Sequence, residues 1–165
     1  MADEPIVIVG AGAAGSTMAL LLARYGIASI LVEERQDPRL HPAAHVINAR
    51  TLEIWHQACP ALGSALDEIT PPIDTVNIIR WCTDVRSDPI GEIDLLSQPD
   101  RLAEVRTHSR HLISHIGQHL LMPKLWNAVD NEPLVDFRRG CRAELLGRRV
   151  LLRSAECASD TVIPR

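Results

Sequence analysis

No two of the four cysteines, Cys59, Cys82, Cys141 and Cys157, stand at C-x-x-C spacing, and no zinc-ligand spacing occurs. Their scatter points to a reduced, cytoplasmic chain rather than a disulfide framework. Aromatic residues make up only 3% of the sequence. Trp55, Trp81 and Trp126 are far apart, which reads as three core anchors rather than a stacking platform for bases. Neither sign of charge dominates, with 17 basic and 21 acidic residues. A net charge of −4 gives no reason to expect nucleic acid or an anionic membrane as a partner. There is no G-x-S-x-G elbow and no H-E-x-x-H helix, so a serine hydrolase and a zinc protease lack support. No internal repeat or low-complexity segment occurs. The longest uncharged run, residues 6–23, follows Asp3 and Glu4, where a signal peptide needs positive charge. Gly10, Gly12, Gly15, Ser16 and Thr17 break it into two short elements, so it does not read as a membrane helix.

What is present is enough apolar material for one core. The 165 residues are 46% hydrophobic and 23% charged, which fits one globular domain. Near the N-terminus stands "IVIVGAGAAG". The β-branched run predicts a short buried strand ended by a glycine. Residues 13–25 are helix formers with Leu20, Leu21 and Leu22 on the core face, and Gly26 stands where a helix C-cap glycine belongs. "ASILVEE" predicts a second buried strand. The sum is a βαβ unit and a parallel sheet.

In that context G-x-G-x-x-G has a chemical reason. Gly10 permits the tight turn, Gly12 leaves room for a pyrophosphate, and Gly15 lets helix and strand pack closely. The helix N-terminus offers free N–H groups and partial positive charge. Glu33 falls at the end of the second strand, where a carboxylate accepts the hydroxyls of an adenosine ribose and repels a 2′-phosphate. A dinucleotide is therefore expected on Gly10, Ala11, Gly12, Ala13, Ala14, Gly15 and Ser16, with Glu33 at its ribose.

Further along, "RQDPRLHPAAHVIN" predicts a long loop, and Asn48 is placed to cap a helix over "ARTLEIWHQA". Residues 60–72 predict at least a helical turn. "TVNIIRW" and "GEIDLL" predict strands about the turn-rich "RSDPIG". "HLISHIGQHLLMPKLWNAV" predicts an amphipathic helix kinked near His119 by Pro123. "LVDFRRG", "CRAELLG" and "RRVLLRS" predict strands, the last two in a hairpin about Gly147 and Arg148. Arg138, Arg139, Arg142, Arg148, Arg149 and Arg153 alternate with apolar residues and predict the wet faces of those strands. His108, His111, His115 and His119 predict a half-exposed helix face. On a straight helix His111 and His115, four residues apart, could share an ion, whereas His111 and His119 would stand about 12 Å apart, too far for one.

Three stretches carry a family resemblance. The run through GAGAAG, "LLLARYGI" and "LVEER", then "HPAAHVINARTLEIW", then "GQHLLMPKLW", resembles flavin-dependent aromatic hydroxylases of the p-hydroxybenzoate hydroxylase type, in the family's order. The resemblance implies FAD as cofactor, NAD(P)H as electron donor and a small aromatic substrate. It implies the FAD pyrophosphate at residues 10–16, the adenosine ribose at Glu33, a hydrogen bond from Gln118 to the cofactor, and a mainly structural Arg50. Ala43 stands where the family has an arginine near the flavin, which removes a charged donor contact of about 1.5–3 kcal/mol. Ala49 replaces the family's proline.

The family's later Asp-Gly and G-D-A-x-H motifs are not found in this sequence. The expectation is therefore a Rossmann-like, partial FAD-binding domain over residues 1–165, α/β in class, with a mainly parallel sheet. Residues 70–100 are expected to be an inserted strand pair of the substrate region, and 134–154 a small β-meander that stops before its third strand. No catalytic residue is expected here, and the chain alone is expected not to hydroxylate. A sheet lacking later strands would leave an edge open to self-association. The alternatives are a non-catalytic nucleotide-binding module needing a partner, and an NAD-dependent Rossmann oxidoreductase. The second is disfavoured by "RTLE" and Q-x-x-L-x-P, which have no role there.

Overall fold

The computed structural model describes residues 5–146, 149–154 and 161–163. In chain order the elements are β1 (Ile6–Val9), α1 (Ala13–Arg24), β2 (Ser29–Val32), β3 (Val46–Ile47), α2 (Ala49–Ala58), α3 (Pro60–Asp67), a short 3₁₀ turn at Ile73–Thr75, β4 (Ile78–Trp81) and β5 (Gly91–Asp94). There follow α4 (Pro99–His108), β6 (Ser114–His115), α5 (Gln118–Asp130), β7 (Val135–Arg138), β8 (Cys141–Leu146), β9 (Arg149–Ser154) and β10 (Thr161–Ile163).

The expected βαβ unit is present, but β1, expected to be buried, is an outer strand with Ile6 and Val9 exposed. β1 and β7 both run parallel to β2, which lies between them with all four residues buried. Successive side chains of a strand point to opposite faces, and β2 uses this to join two cores. Leu31 faces a core built with Leu20, Leu52, Trp55, Leu66, Leu125 and Trp126, so α1, α2, α3 and α5 cover one side of the sheet. Ile30 and Val32 face Val150 and Leu152, so the antiparallel β8–β9 pair covers the other. A parallel sheet buried on both faces explains the uninterrupted apolar "SILV".

Local signals end the elements as the residues predict. Gly26 adopts φ +75° just after α1, a conformation that favours glycine. Asn48 caps α2, its Oδ1 accepting from the Thr51 N–H at 2.8 Å. Pro60 opens α3 at the first helical position, where its missing N–H costs nothing.

Several expectations need correction. The helix predicted over 111–129 begins only at Gln118, because Ser114–His115 is extended and pairs with Val46–Ile47. Pro123 then stands in the second turn, and the carbonyl it leaves without a donor is that of His119, at the helix start. Almost no helix lies upstream to bend. The meander does have a third strand, since β10 pairs with β9 antiparallel. The tip of the β8–β9 hairpin, expected at Gly147 and Arg148, lies outside the described residues. Trp81 is 49% exposed and is no core anchor, whereas Trp55 and Trp126 are buried. Arg139 is not simply a wet-face residue, for its guanidinium lies over the rings of Trp126 and Phe137 while pairing with Asp130. Among the described residues no helix is long and apolar enough to cross a membrane.

Candidate functional site

The glycine turn connects β1 to α1 and is held from several directions. Gly10 takes φ +95°, and its N–H donates to the Val32 carbonyl at 2.7 Å. A Cβ at Gly15 would lie 1.9 Å from the Gly10 carbonyl oxygen, so only glycine allows α1 this close to β1. Gly12 differs. A Cβ there would meet nothing within 4 Å, and the residue is exposed. Gly12 also caps α1, and no side chain caps the helix end. The first-turn N–H groups of Ala13, Ala14 and Gly15 have no intrahelical acceptor, as at any helix start. The turn thus presents an open, partially positive surface at Gly12 and the α1 N-terminus.

Ala11 and Ser16 belong to the scaffold of the turn. Ala11 is 1% exposed, its N–H donates to Glu33 Oε2 at 2.9 Å, and its carbonyl accepts from Trp126 Nε1 at 2.7 Å and Ser16 Oγ at 3.2 Å. Ser16 is fully buried, and its hydroxyl braces the loop from inside through the Ala11 carbonyl. Trp126, which pattern reading assigned to the core alone, thereby also holds the turn in place. Trp55 acts similarly, donating through Nε1 to Thr17 Oγ1 at 2.7 Å, while that hydroxyl donates to the Ala13 carbonyl at 2.6 Å. The only sequence signal was that both tryptophans need an indole N–H partner once buried.

Glu33 sits at the expected place, just after β2, and is 7% exposed. Its Oε1 accepts from the Arg35 N–H at 3.1 Å, with the Arg35 guanidinium 3.6 Å away. Each carboxylate oxygen retains a further lone pair. A cavity of about 240 Å³ opens here, lined by Gly10, Glu33, Arg35 and Arg142 among others. A second cavity of about 260 Å³ opens beside the other side of the helix start, lined by Ala13, His45, Asn48, Trp55 and Gln118 among others. Gly10 thus lines the cavity that holds Glu33, and Ala13, the first residue of α1, lines the cavity that holds Gln118. Gln118 reaches it because its N–H donates to the Ala44 carbonyl at 2.9 Å, docking the start of α5 onto the loop before β3. Arg50 is exposed and pairs with Glu53 at 3.0 Å, in keeping with a structural role.

The expected histidine face does not form. His111 and His115 lie before α5, outside any helix, and their partners come from elsewhere. His115 stands 5.2 Å from His45, and His111 stacks at 4.2 Å on His56. Burial, then the neighbouring histidine, lowers the pKa of each. The Glu53 carboxyl is held below its usual range by the Ser109 hydroxyl and then by Arg50.

The chain matches the FAD binding domain family over residues 3–148. Among curated relatives it is 27% identical over 126 residues to 2,4-dichlorophenol 6-monooxygenase of Delftia acidovorans, covering 76% of this chain and 21% of that one. The corresponding enzyme of Cupriavidus pinatubonensis is 41% identical over 91 residues, covering 55% of this chain and 15% of that one. Among solved structures, the flavin-dependent monooxygenase PieE in complex with FAD and substrate superposes with a TM-score of 0.84 at 27% identity, covering 98% of this chain and 28% of that one. The chain thus spans about a fifth of the length of the first of these relatives. A match running from the strand before the glycine turn into the β8–β9 pair exceeds a shared turn, and the chain belongs to the FAD binding domain family, as that domain occurs in monooxygenases of phenolic compounds.

Proposed function

We propose that this domain holds FAD stretched across the N-terminus of α1, as the cofactor-binding part of an NAD(P)H-dependent monooxygenase acting on a phenolic compound. The observation that carries it is the open turn at Gly12, flanked in sequence by Gly10, which lines the cavity bearing Glu33, and by Ala13, which lines the cavity bearing Gln118. The residues fit the group. The exposed N–H groups from Gly12 to Gly15 suit a pyrophosphate. Glu33 suits ribose hydroxyls, and the apolar Gln118 cavity suits the ribityl–flavin end. Ala11 and Ser16 hold the loop in shape. The phenolic substrate class comes from the relatives' names alone. When bound, FAD would supply the redox chemistry, with NAD(P)H as the source of electrons and molecular oxygen as the co-substrate. This chain's own residues bind and orient it.

Residues 70–100 fit the substrate region, since β4 and β5 pair with each other and with no other strand among the described residues. β1 is an outer strand of its sheet, with Ile6 and Val9 exposed, and is the edge through which a second copy would pair.

The test is calorimetric titration of the 165-residue chain with FAD, NAD and NADP, together with Gly12→Val. FAD is expected to bind best and NADP worst, although Arg35 beside Glu33 shields part of the repulsive charge. Gly12→Val should abolish FAD binding without changing thermal unfolding, because the added side chain meets only open space. Unchanged FAD affinity in that variant, or tighter NADP than FAD binding, overturns the reading.

A further inference from the structure

We propose that His56, Asp67 and His111 form a binding site for a divalent transition-metal ion of the zinc type, separate from the cofactor site. The three residues come from α2, the last residue of α3 and the segment between α4 and β6. Their donor atoms all lie within 4.8 Å of one another, the one such group of histidine, cysteine and carboxylate side chains among the described residues.

The His56–Asp67 pair already has the spacing of two ligands. His56 Nε2 stands 3.2 Å from Asp67 Oδ1. Two ligands of a tetrahedral zinc ion, each about 2.0–2.1 Å from the metal, stand roughly 3.3 Å apart. An ion would replace the shared proton with little movement. His111 is stacked on His56 at 4.2 Å with the rings 27° apart, and turning its half-buried ring brings the third nitrogen into place.

The surroundings orient these groups. A Cβ at residue 63 would lie 2.4 Å from His56 Nδ1, so Gly63 clears the space in which the imidazole lies against α3. Gly63 and Asp67 are four residues apart on that helix, hence on the same face. Nδ1 is thereby turned to the α3 backbone and Nε2 to the carboxylate. The His111 segment is tied to the helix that carries His56. Ser109 Oγ donates to Glu53 Oε1 at 2.6 Å and accepts the His111 N–H at 3.1 Å. Glu53 lies one turn before His56 on α2.

Two imidazoles and one carboxylate favour zinc, nickel or copper over calcium and magnesium, which prefer all-oxygen shells. Three protein ligands leave the fourth position to water. His56 also lines a cavity with Leu21, Arg24 and Tyr25 at the C-terminal end of α1. The length of that helix, roughly 18 Å for its 12 residues, lies between this site and the glycine turn. A bound ion would staple α2, α3 and the His111 segment together, and so raise stability without occupying the cofactor cavities.

The test is calorimetric titration of the metal-free chain with Zn²⁺, with Co²⁺ followed by its visible spectrum, and with Mg²⁺. The expected result is one equivalent of Zn²⁺ bound, a raised Tm and no response to Mg²⁺. His111→Ala and Asp67→Asn should each weaken Zn²⁺ binding by about tenfold or more, since loss of even an outer partner usually costs that much. Asp67 is exposed, so its variant leaves the fold intact. His108→Ala should bind as the parent does, and Gly12→Val should keep full metal affinity. No binding, or binding that His111→Ala and Asp67→Asn leave unchanged, overturns the proposal.

Discussion

The glycine turn between β1 and α1 and the β4–β5 hairpin are held in opposite ways. The turn is fixed by residues distant in sequence, Glu33 from β2 and Trp126 from α5, through bonds to one buried residue, Ala11. The hairpin is fixed by its own pairing and by one exposed ion pair, Arg80 to Glu92 at 2.7 Å, a kind of contact worth about 0–1 kcal/mol. Its Ile79, Trp81, Ile90 and Ile93 face outward. Bonds of long sequence separation thus converge on the proposed cofactor turn, whereas the apolar side chains of the hairpin stand exposed.

Substitutions can break or sharpen that contrast. The largest effect is expected from Gly15→Val, whose side chain has the Gly10 carbonyl in its way, at a cost of roughly 3 kcal/mol or more. Urea unfolding should show it, and the flavin should be lost with the fold. Trp126→Phe keeps most of the packing but leaves the Ala11 carbonyl one donor short, for about 1–3 kcal/mol. For a chain of this size that lowers Tm by several degrees, about 2–4 °C for each kcal/mol. An unchanged Tm would show that the turn does not depend on α5. Glu33→Gln removes the charge facing the proposed ribose and weakens FAD binding by about tenfold, measured by calorimetry, with a smaller loss of stability.

A pH dependence should follow from the histidines. His111 and His115 titrate below the ordinary histidine value because burial disfavours their charged forms. The unfolded chain therefore takes up protons first. Their contribution is complete above about pH 6.5 and is lost as the pH falls from there through the lower folded values. The Tm should decline over that window, and His111→Asn combined with His115→Asn should flatten the decline. The smallest effect belongs to the hairpin. Trp81→Ser should change stability by no more than about 0.5 kcal/mol, the usual range for exposed sites. A large loss there would mean that the hairpin is anchored as firmly as the turn.

How much of this could be read from residues alone depends on the range of the forces. β1, α1, β2 and the Asn48 cap were legible because propensity, glycine placement and capping are local. Glu33 was legible because its spacing from the glycines fixes its position at the end of β2. The bonds from Trp126 and Trp55 were not, since an indole's partner 115 or 38 residues away leaves no mark on sequence pattern. α4 was missed because it buries no residue and so has no apolar period. The β3–β6 pair was missed because two-residue strands have no pattern, and overlooking it produced a helix that began seven residues too early. The His56–Asp67–His111 group was out of reach because three elements supply it, and inspecting the histidines by mutual spacing examined the wrong partners.

The single bond from Trp126 to the Ala11 carbonyl also orders events in time. A ribosome adding about 5–20 residues each second finishes the fingerprint long before it reaches residue 126, roughly ten seconds later. β2 must likewise wait for β7 before its outer side is paired. During that interval the turn has Val32, Glu33 and Ser16 to hold it from its own βαβ unit, and lacks the indole donor to the Ala11 carbonyl. Contacts of such long sequence separation form late in folding. The nascent chain therefore carries its cofactor signature early and acquires the ability to use it only when α5 and β7 have docked. Flavin added during refolding should accordingly be captured in the slowest phase.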